Sequence, residues 1–158
     1  MSFARLVNRF KEGLGNGGEA LSSVHHDPLP LATAAILLEI AYADGTFTPS
    51  EGEDLTSYLQ RAFTLAAEEA KELLDAAAEI RNRTIDHFAL TNFIRKNAPL
   101  HARVDIVKTM WRMVYSDGKL SDYENYLVRK LADLLGLEHH VMIDAKVAVL
   151  RDMGLAAR

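Results

Sequence analysis

The chain has no cysteine, which excludes a disulfide framework and a thiolate metal site and leaves nothing to argue for an oxidising compartment. A cytoplasmic home is therefore the expectation. No run reaches the roughly eighteen apolar residues of a membrane span, and Met1 to Leu14 lacks the unbroken apolar stretch of a signal peptide. Lys and Arg are missing between Leu31 and Gln60, where Glu39, Asp44, Glu51, Glu53 and Asp54 all carry negative charge. The marks of an active site are missing too: no H-E-x-x-H pair, no nucleophile elbow, and no glycine-rich phosphate loop behind a strand. The chain is not expected to be an enzyme.

What is present fits one globular domain: 158 residues, 49% hydrophobic and 25% charged, are enough to bury a real core. A net charge of -4 is too mild to point to nucleic acid, and no nucleic-acid partner is expected. The charge is nevertheless sorted. From Arg81 to Arg103 the cations Arg81, Arg83, Arg95, Lys96 and Arg103 face Asp86 as the lone acid. An acidic region and a basic one follow, and Glu53 and Asp54 are the acids expected to receive a protein partner. Solvated helix faces explain the same runs with no partner at all.

Two segments repeat each other. Tyr42-Ala43-Asp44-Gly45-Thr46-Phe47-Thr48-Pro49-Ser50-Glu51 and Tyr115-Ser116-Asp117-Gly118-Lys119-Leu120-Ser121-Asp122-Tyr123-Glu124 place Tyr, Asp-Gly, an apolar residue, a hydroxyl residue and Glu in one register, 73 residues apart. Apolar residues at helical spacing flank both copies. The chain reads as an internal duplication.

The pattern is helical throughout. Ser2 to Glu12 reads as a short amphipathic helix, and Gly13, Gly15, Gly17 and Gly18 as a flexible connector, so residues 1–26 form an arm and linker. The domain proper occupies 27–158. Asp27-Pro28 opens a helix to about Ala43 that is polar only at Thr33, Glu39 and its ends, and should be buried nearly all round. Leu55, Tyr58, Leu59 and Ala62 mark the next helix, and Ala70, Leu73, Leu74 and Ala77 the third. A linking helix carries Ile85, Phe88, Ala89, Phe93 and Ile94 and ends at Asn97 before Pro99. Val104 to Val114 then repeats the central helix, Leu127 to Leu135 the second, stopped by Gly136, and Val141 to Val149 the third. The expected fold is all-α: a compact domain of two three-helix repeats, related by a pseudo-two-fold and joined by one helix.

The repeated motif has two readings. In the structural one, Gly45 and Gly118 supply the left-handed conformation at a helix C-terminus, and Thr48 to Glu51 and Ser121 to Glu124 are capping boxes. Pro49 then sits at the first helical position, where its missing N–H costs nothing. No ligand is required. In the functional reading, Asp-Gly with Glu seven residues after the Asp matches the second half of an EF-hand loop. The earlier ligand positions fall on Ile40 and Tyr42, and on Met113 and Tyr115, so neither loop encloses Ca²⁺ alone. Two loops facing across the pseudo-two-fold would pool Asp44, Glu51, Asp117 and Glu124, whose mutual repulsion a divalent cation or a basic partner would relieve.

These paired turns, with Asp86-His87-Phe88-Ala89 and Asn92-Phe93 between them and Arg103 before the second central helix, resemble the TerB-like family of tellurite-resistance proteins. The likeness covers about Leu29 to Leu150. It implies a compact helical fold with internal symmetry and an acidic surface suspected of binding metal, with Asp44, Glu51, Asp117 and Glu124 as the candidate ligands. It also implies a place in membrane-associated stress or tellurite response, since a similar domain precedes the J-domain of a membrane-anchored co-chaperone. Glu53 and Asp54 depart from the symmetry, because the second copy has Tyr126 and Leu127 there.

The histidines add little: His25-His26 lies in the connector, His139-His140 opens the last helix, and His87 and His101 read as surface or interhelical contacts. The expectation is a non-enzymatic accessory protein that binds a divalent cation weakly, or a metal-independent module docking a protein through its acidic half or its arm. The arm itself has three readings: it packs on the domain, hangs free to bind a partner, or touches anionic membrane peripherally through Arg5, Arg9 and Lys11.

Overall fold

The structure is a computed structural model that describes residues 28–43, 45, 48–81, 87–116 and 121–155. Among them are seven helices and no strand: α1 (Pro28–Ala41), α2 (Pro49–Phe63), α3 (Ala67–Arg81), α4 (His87–Asn97), α5 (Leu100–Tyr115), α6 (Asp122–Leu134) and α7 (His139–Asp152). The all-α expectation holds. The arm over Ser2 to Glu12 and its connector lie outside the described residues, as do Asp44, Gly118 and Ile85.

α1 is the axis of the fold, and its composition explains why. From Pro30 to Ala41 every residue but Glu39 is buried, with Leu31, Ile36, Leu37 and Ile40 fully out of solvent. Such a helix needs neighbours on all sides, and α2, α3, α4, α5 and α6 supply them. Its one buried hydroxyl is satisfied locally, Thr33 Oγ1 donating to the Leu29 carbonyl at 2.8 Å. α5 is the counterpart: Val107, Met110, Trp111 and Val114 are buried, and Thr109 Oγ1 donates to the Asp105 carbonyl at 2.9 Å.

The partners follow a pattern. α1 packs on α2 and α3, as α5 packs on α6 and α7; α2 touches α3 as α6 touches α7. Across the middle, α1 meets α5, α2 meets α5, and α6 meets α1. α4 joins the sets by lying against α1 and α6 through buried Leu90, Thr91 and Ile94.

Among the described residues, glycines end α1 and α6 much as the sequence suggests, while α2 ends without one. α1 stops two residues short of the expected Ala43, and Gly45 follows with φ +88°, its N–H donating to the Tyr42 carbonyl. Gly136 stops α6 with φ +84°, and Leu137 N–H reaches back to the Ala132 carbonyl, the six-to-one bond of a Schellman ending. α2 instead ends on Thr64 at φ 55°, a β-branched residue in the left-handed region that favours glycine.

Candidate functional site

The two helix starts after the Asp-Gly turns are built alike. Thr48 lies in extended backbone before α2; its Oγ1 accepts the Glu51 N–H at 3.2 Å, and Glu51 Oε1 accepts the Thr48 N–H at 3.1 Å. Ser121 does the same before α6: Oγ accepts the Glu124 N–H at 3.0 Å, and Glu124 Oε1 accepts the Ser121 N–H at 3.1 Å. Both expected capping boxes are present, with Pro49 at the first position of α2. Each satisfies two backbone N–H groups that the helix start would leave orphaned.

Burial goes beyond capping. Glu51 is 1% exposed and Glu124 3%, whereas a glutamate closing a box on a surface helix ordinarily stays wet. Two carboxylates have thus been taken out of water at matching positions. The N-terminal ends of α2 and α6 favour negative charge there. Among the described residues, the Glu124 carboxylate meets a backbone N–H and no cation.

Of the four expected metal ligands, the structure describes Glu51 and Glu124, while Asp44 and Asp117 lie outside the described residues. Among the described residues, no three acids or histidines gather as a metal site. The chemistry of the donor set fits a hard divalent cation, because carboxylate oxygens are the ligands that Ca²⁺, Mg²⁺ and Mn²⁺ prefer. Oε1 of each glutamate is committed to its cap, and Oε2 is the oxygen that Glu124 would offer.

Glu53 and Asp54, the acids expected to meet a partner, part company. Glu53 is exposed on α2, but Asp54 is half-buried against the end of α5, its Oδ2 shut from solvent without a hydrogen-bond partner. Burial pushes its carboxyl above the usual carboxylate range; Arg112 and the Ser116 hydroxyl pull it down and Glu53 pushes it up again. In the 73-residue register of the sequence repeat, the residue matching Asp54 is Leu127, a core side chain 2% exposed.

A profile of the family described as "Tellurite resistance protein TerB" matches residues 30–147, from the first turn of α1 into α7, with both Asp-Gly turns and both capping boxes inside the match. The chain belongs to the TerB family. No curated protein and no solved structure matches it significantly.

The TerB domain also holds a cluster that sequence reasoning missed. Glu39 of α1 is ion-paired through Oε1 with Arg81, whose Nε lies 3.1 Å away, and accepts a hydrogen bond from His87 Nε2 at 3.0 Å on Oε2, with all three side chains about a quarter exposed. The Arg81 guanidinium also stacks 4.5 Å from the ring centre of Tyr42. Burial raises the Glu39 carboxyl, but the hydrogen bond from His87 and the charges of Arg81 and His87 outweigh it and hold the group below its ordinary value. Of the two expectations for His87, a surface or an interhelical contact, the structure shows the interhelical one. Its partner could not be named, since 48 residues separate the two and no short motif links them.

Arg103 belongs both to the basic run and to the resemblance. In the TerB domain it joins two helix ends: Nε donates to the Ala98 carbonyl at 3.1 Å, after α4, and Nη1 to the Leu135 carbonyl at 2.8 Å, after α6. No described helix of the domain is long and apolar enough to cross a membrane.

Proposed function

We propose that this TerB protein is a non-enzymatic, cytoplasmic accessory protein of tellurite and related stress responses, and that it works by holding a divalent cation weakly at its paired Asp-Gly turns. Asp44 and Asp117 from the turns, with Glu51 and Glu124 from the capping boxes, are the ligands of this reading. The observation that carries it is the Glu124 carboxylate, 3% exposed and met among the described residues by a neutral N–H alone. A buried charge is costly unless it is paired or bound to a metal. A cation would supply the missing positive charge, and the protein side of the chemistry is to present oxygens and keep water away.

Thermal melting tests this. Binding to the folded state alone raises the melting temperature with ligand concentration. Ca²⁺, Mg²⁺ or Mn²⁺ should therefore stabilise the wild type and leave Asp44→Asn with Asp117→Asn unmoved. Equal melting temperatures for the wild type with and without every one of these ions would remove the reading.

A second reading is favoured by the same caps. Oε1 of Glu51 and of Glu124 closes a capping box, a structural role that needs no ion. The protein would then be a metal-independent docking module, receiving a protein partner at the acidic region around Glu53 and Asp54 or through its arm, with peripheral membrane contact through Arg5, Arg9 and Lys11. This reading predicts silence toward divalent ions and no loss of partner binding on adding a chelator.

A further inference from the structure

Between the start of α1, the end of α2 and the start of α5 lies an open cavity of about 150 Å³ that neither functional reading uses. Its walls are mostly apolar: Leu29, Tyr58, Phe63, Ala98, Ala102 and Ile106 line it, with Asp105 as its one carboxylate. An apolar cavity of roughly this size accepts one benzene ring. Asp105 keeps an acid at its edge, close enough that it joins burial in pushing the Tyr58 phenol up.

What could fill it lies in the same chain. Leu29 is the second residue of α1, so the first 27 residues are tethered at the rim of this cavity. In those residues Phe3, Leu6, Val7 and Phe10 fall at the i, i+3, i+4, i+7 spacing of a helix laid into an apolar groove, and Arg5, Arg9 and Lys11 flank them. The 18 residues from Lys11 to Pro28 include four glycines. A coil of that length spans about 23 Å on average, against a radius of gyration of about 14 Å for a domain of this size. The tether is long enough to turn back and short enough to hold the arm at millimolar effective concentration. We propose that the arm docks in cis on this cavity, one phenylalanine ring filling it and the arm's cations facing Asp105. The inference stands apart from the cation reading, since the Asp-Gly turns take no part in it.

The cysteine-free chain allows a direct test on the full-length protein. Asn8→Cys places a nitroxide spin label opposite the apolar face, since position 8 lies across a helical wheel from Phe3, Leu6, Val7 and Phe10. The amide signals of Phe63, Ala98 and Ala102 should lose most of their intensity to paramagnetic relaxation, and Phe3→Ser with Phe10→Ser should restore them. Three results would overturn the proposal: no loss at these amides, loss that survives the double substitution, or loss seen only when labelled protein is mixed with unlabelled ¹⁵N protein, which would mean a second copy takes the cavity.

Discussion

Arg103 Nη1 donates to the carbonyl of Leu135 at 2.8 Å, and the next residue, Gly136, turns back over that guanidinium in left-handed backbone. A Cβ built on Gly136 would stand 2.9 Å from Arg103 Nη1 and 2.9 Å from Arg95 Cδ. One cation thus closes the ends of α4 and α6, and one glycine leaves room for it. Arg103→Ala should cost about 2–3 kcal/mol, as charged hydrogen bonds are worth about 1.5–3 kcal/mol and two carbonyls lose their donor. Arg103→Lys should recover part of this, because an ammonium lacks the rigid fork that reaches two acceptors. Gly136→Ala should cost about 1 kcal/mol or more, and less in the Arg103→Ala background. A double-mutant cycle by urea melting gives the coupling.

Glu39 and Asp54 should respond to acid with opposite signs. The Glu39 carboxyl is held below its ordinary value of 4.5, so its contribution is present above that pH and is lost as pH falls through the lower folded value. Glu39→Gln should therefore lower stability at neutral pH by about 1–2 kcal/mol and flatten the decline below about pH 4.5. Urea melts from pH 3 to 7 check it.

Asp54 is raised, so its ionised form destabilises the fold at neutral pH, and that penalty fades as pH falls through its folded value. Asp54→Leu, which installs the residue found at the matching position 127, should raise stability at pH 7 by about 1 kcal/mol or less, since Asp54 is only half-buried. A loss of stability would show that Arg112 and Ser116 depend on the charge.

Thr64 holds φ at 55° to end α2, and its N–H returns to the Gln60 carbonyl. Thr64→Gly keeps that bond and removes the clash of a β-branched side chain. It should stabilise by up to about 1 kcal/mol, the net of relieved strain and added unfolded-state entropy, as read by thermal melting.

The helices were legible because long periodic stretches decide their own type. α1 is almost wholly apolar, α6 is sharply two-faced and stopped by Gly136, and Pro99 separates α4 from α5. The caps were legible too, for a capping box is written in four consecutive residues. Thr64 was not, since a threonine carries no turn signal and tertiary packing chose its conformation. Nor were the Glu39, Arg81 and His87 cluster or the two carbonyls met by Arg103, because side-chain pairings between distant helices leave no mark on any short window. The burial of Glu51 and Glu124 belongs with these. The acidic run left Glu51 readable as a solvated acid, and the packing of α2 and α6 against α1 and α5 took both glutamates out of water.

The central claim is that the acids of the two turns bind a cation, and calorimetry tests it most directly. Ca²⁺, Mg²⁺ and Mn²⁺ are titrated in turn into the wild type and into Asp44→Asn with Asp117→Asn. Saturable heat with at least one ion in the wild type, absent from the double variant, is the result this account predicts. No heat above dilution in the wild type, or the same isotherm for both proteins, would contradict it and leave the metal-independent docking module in its place.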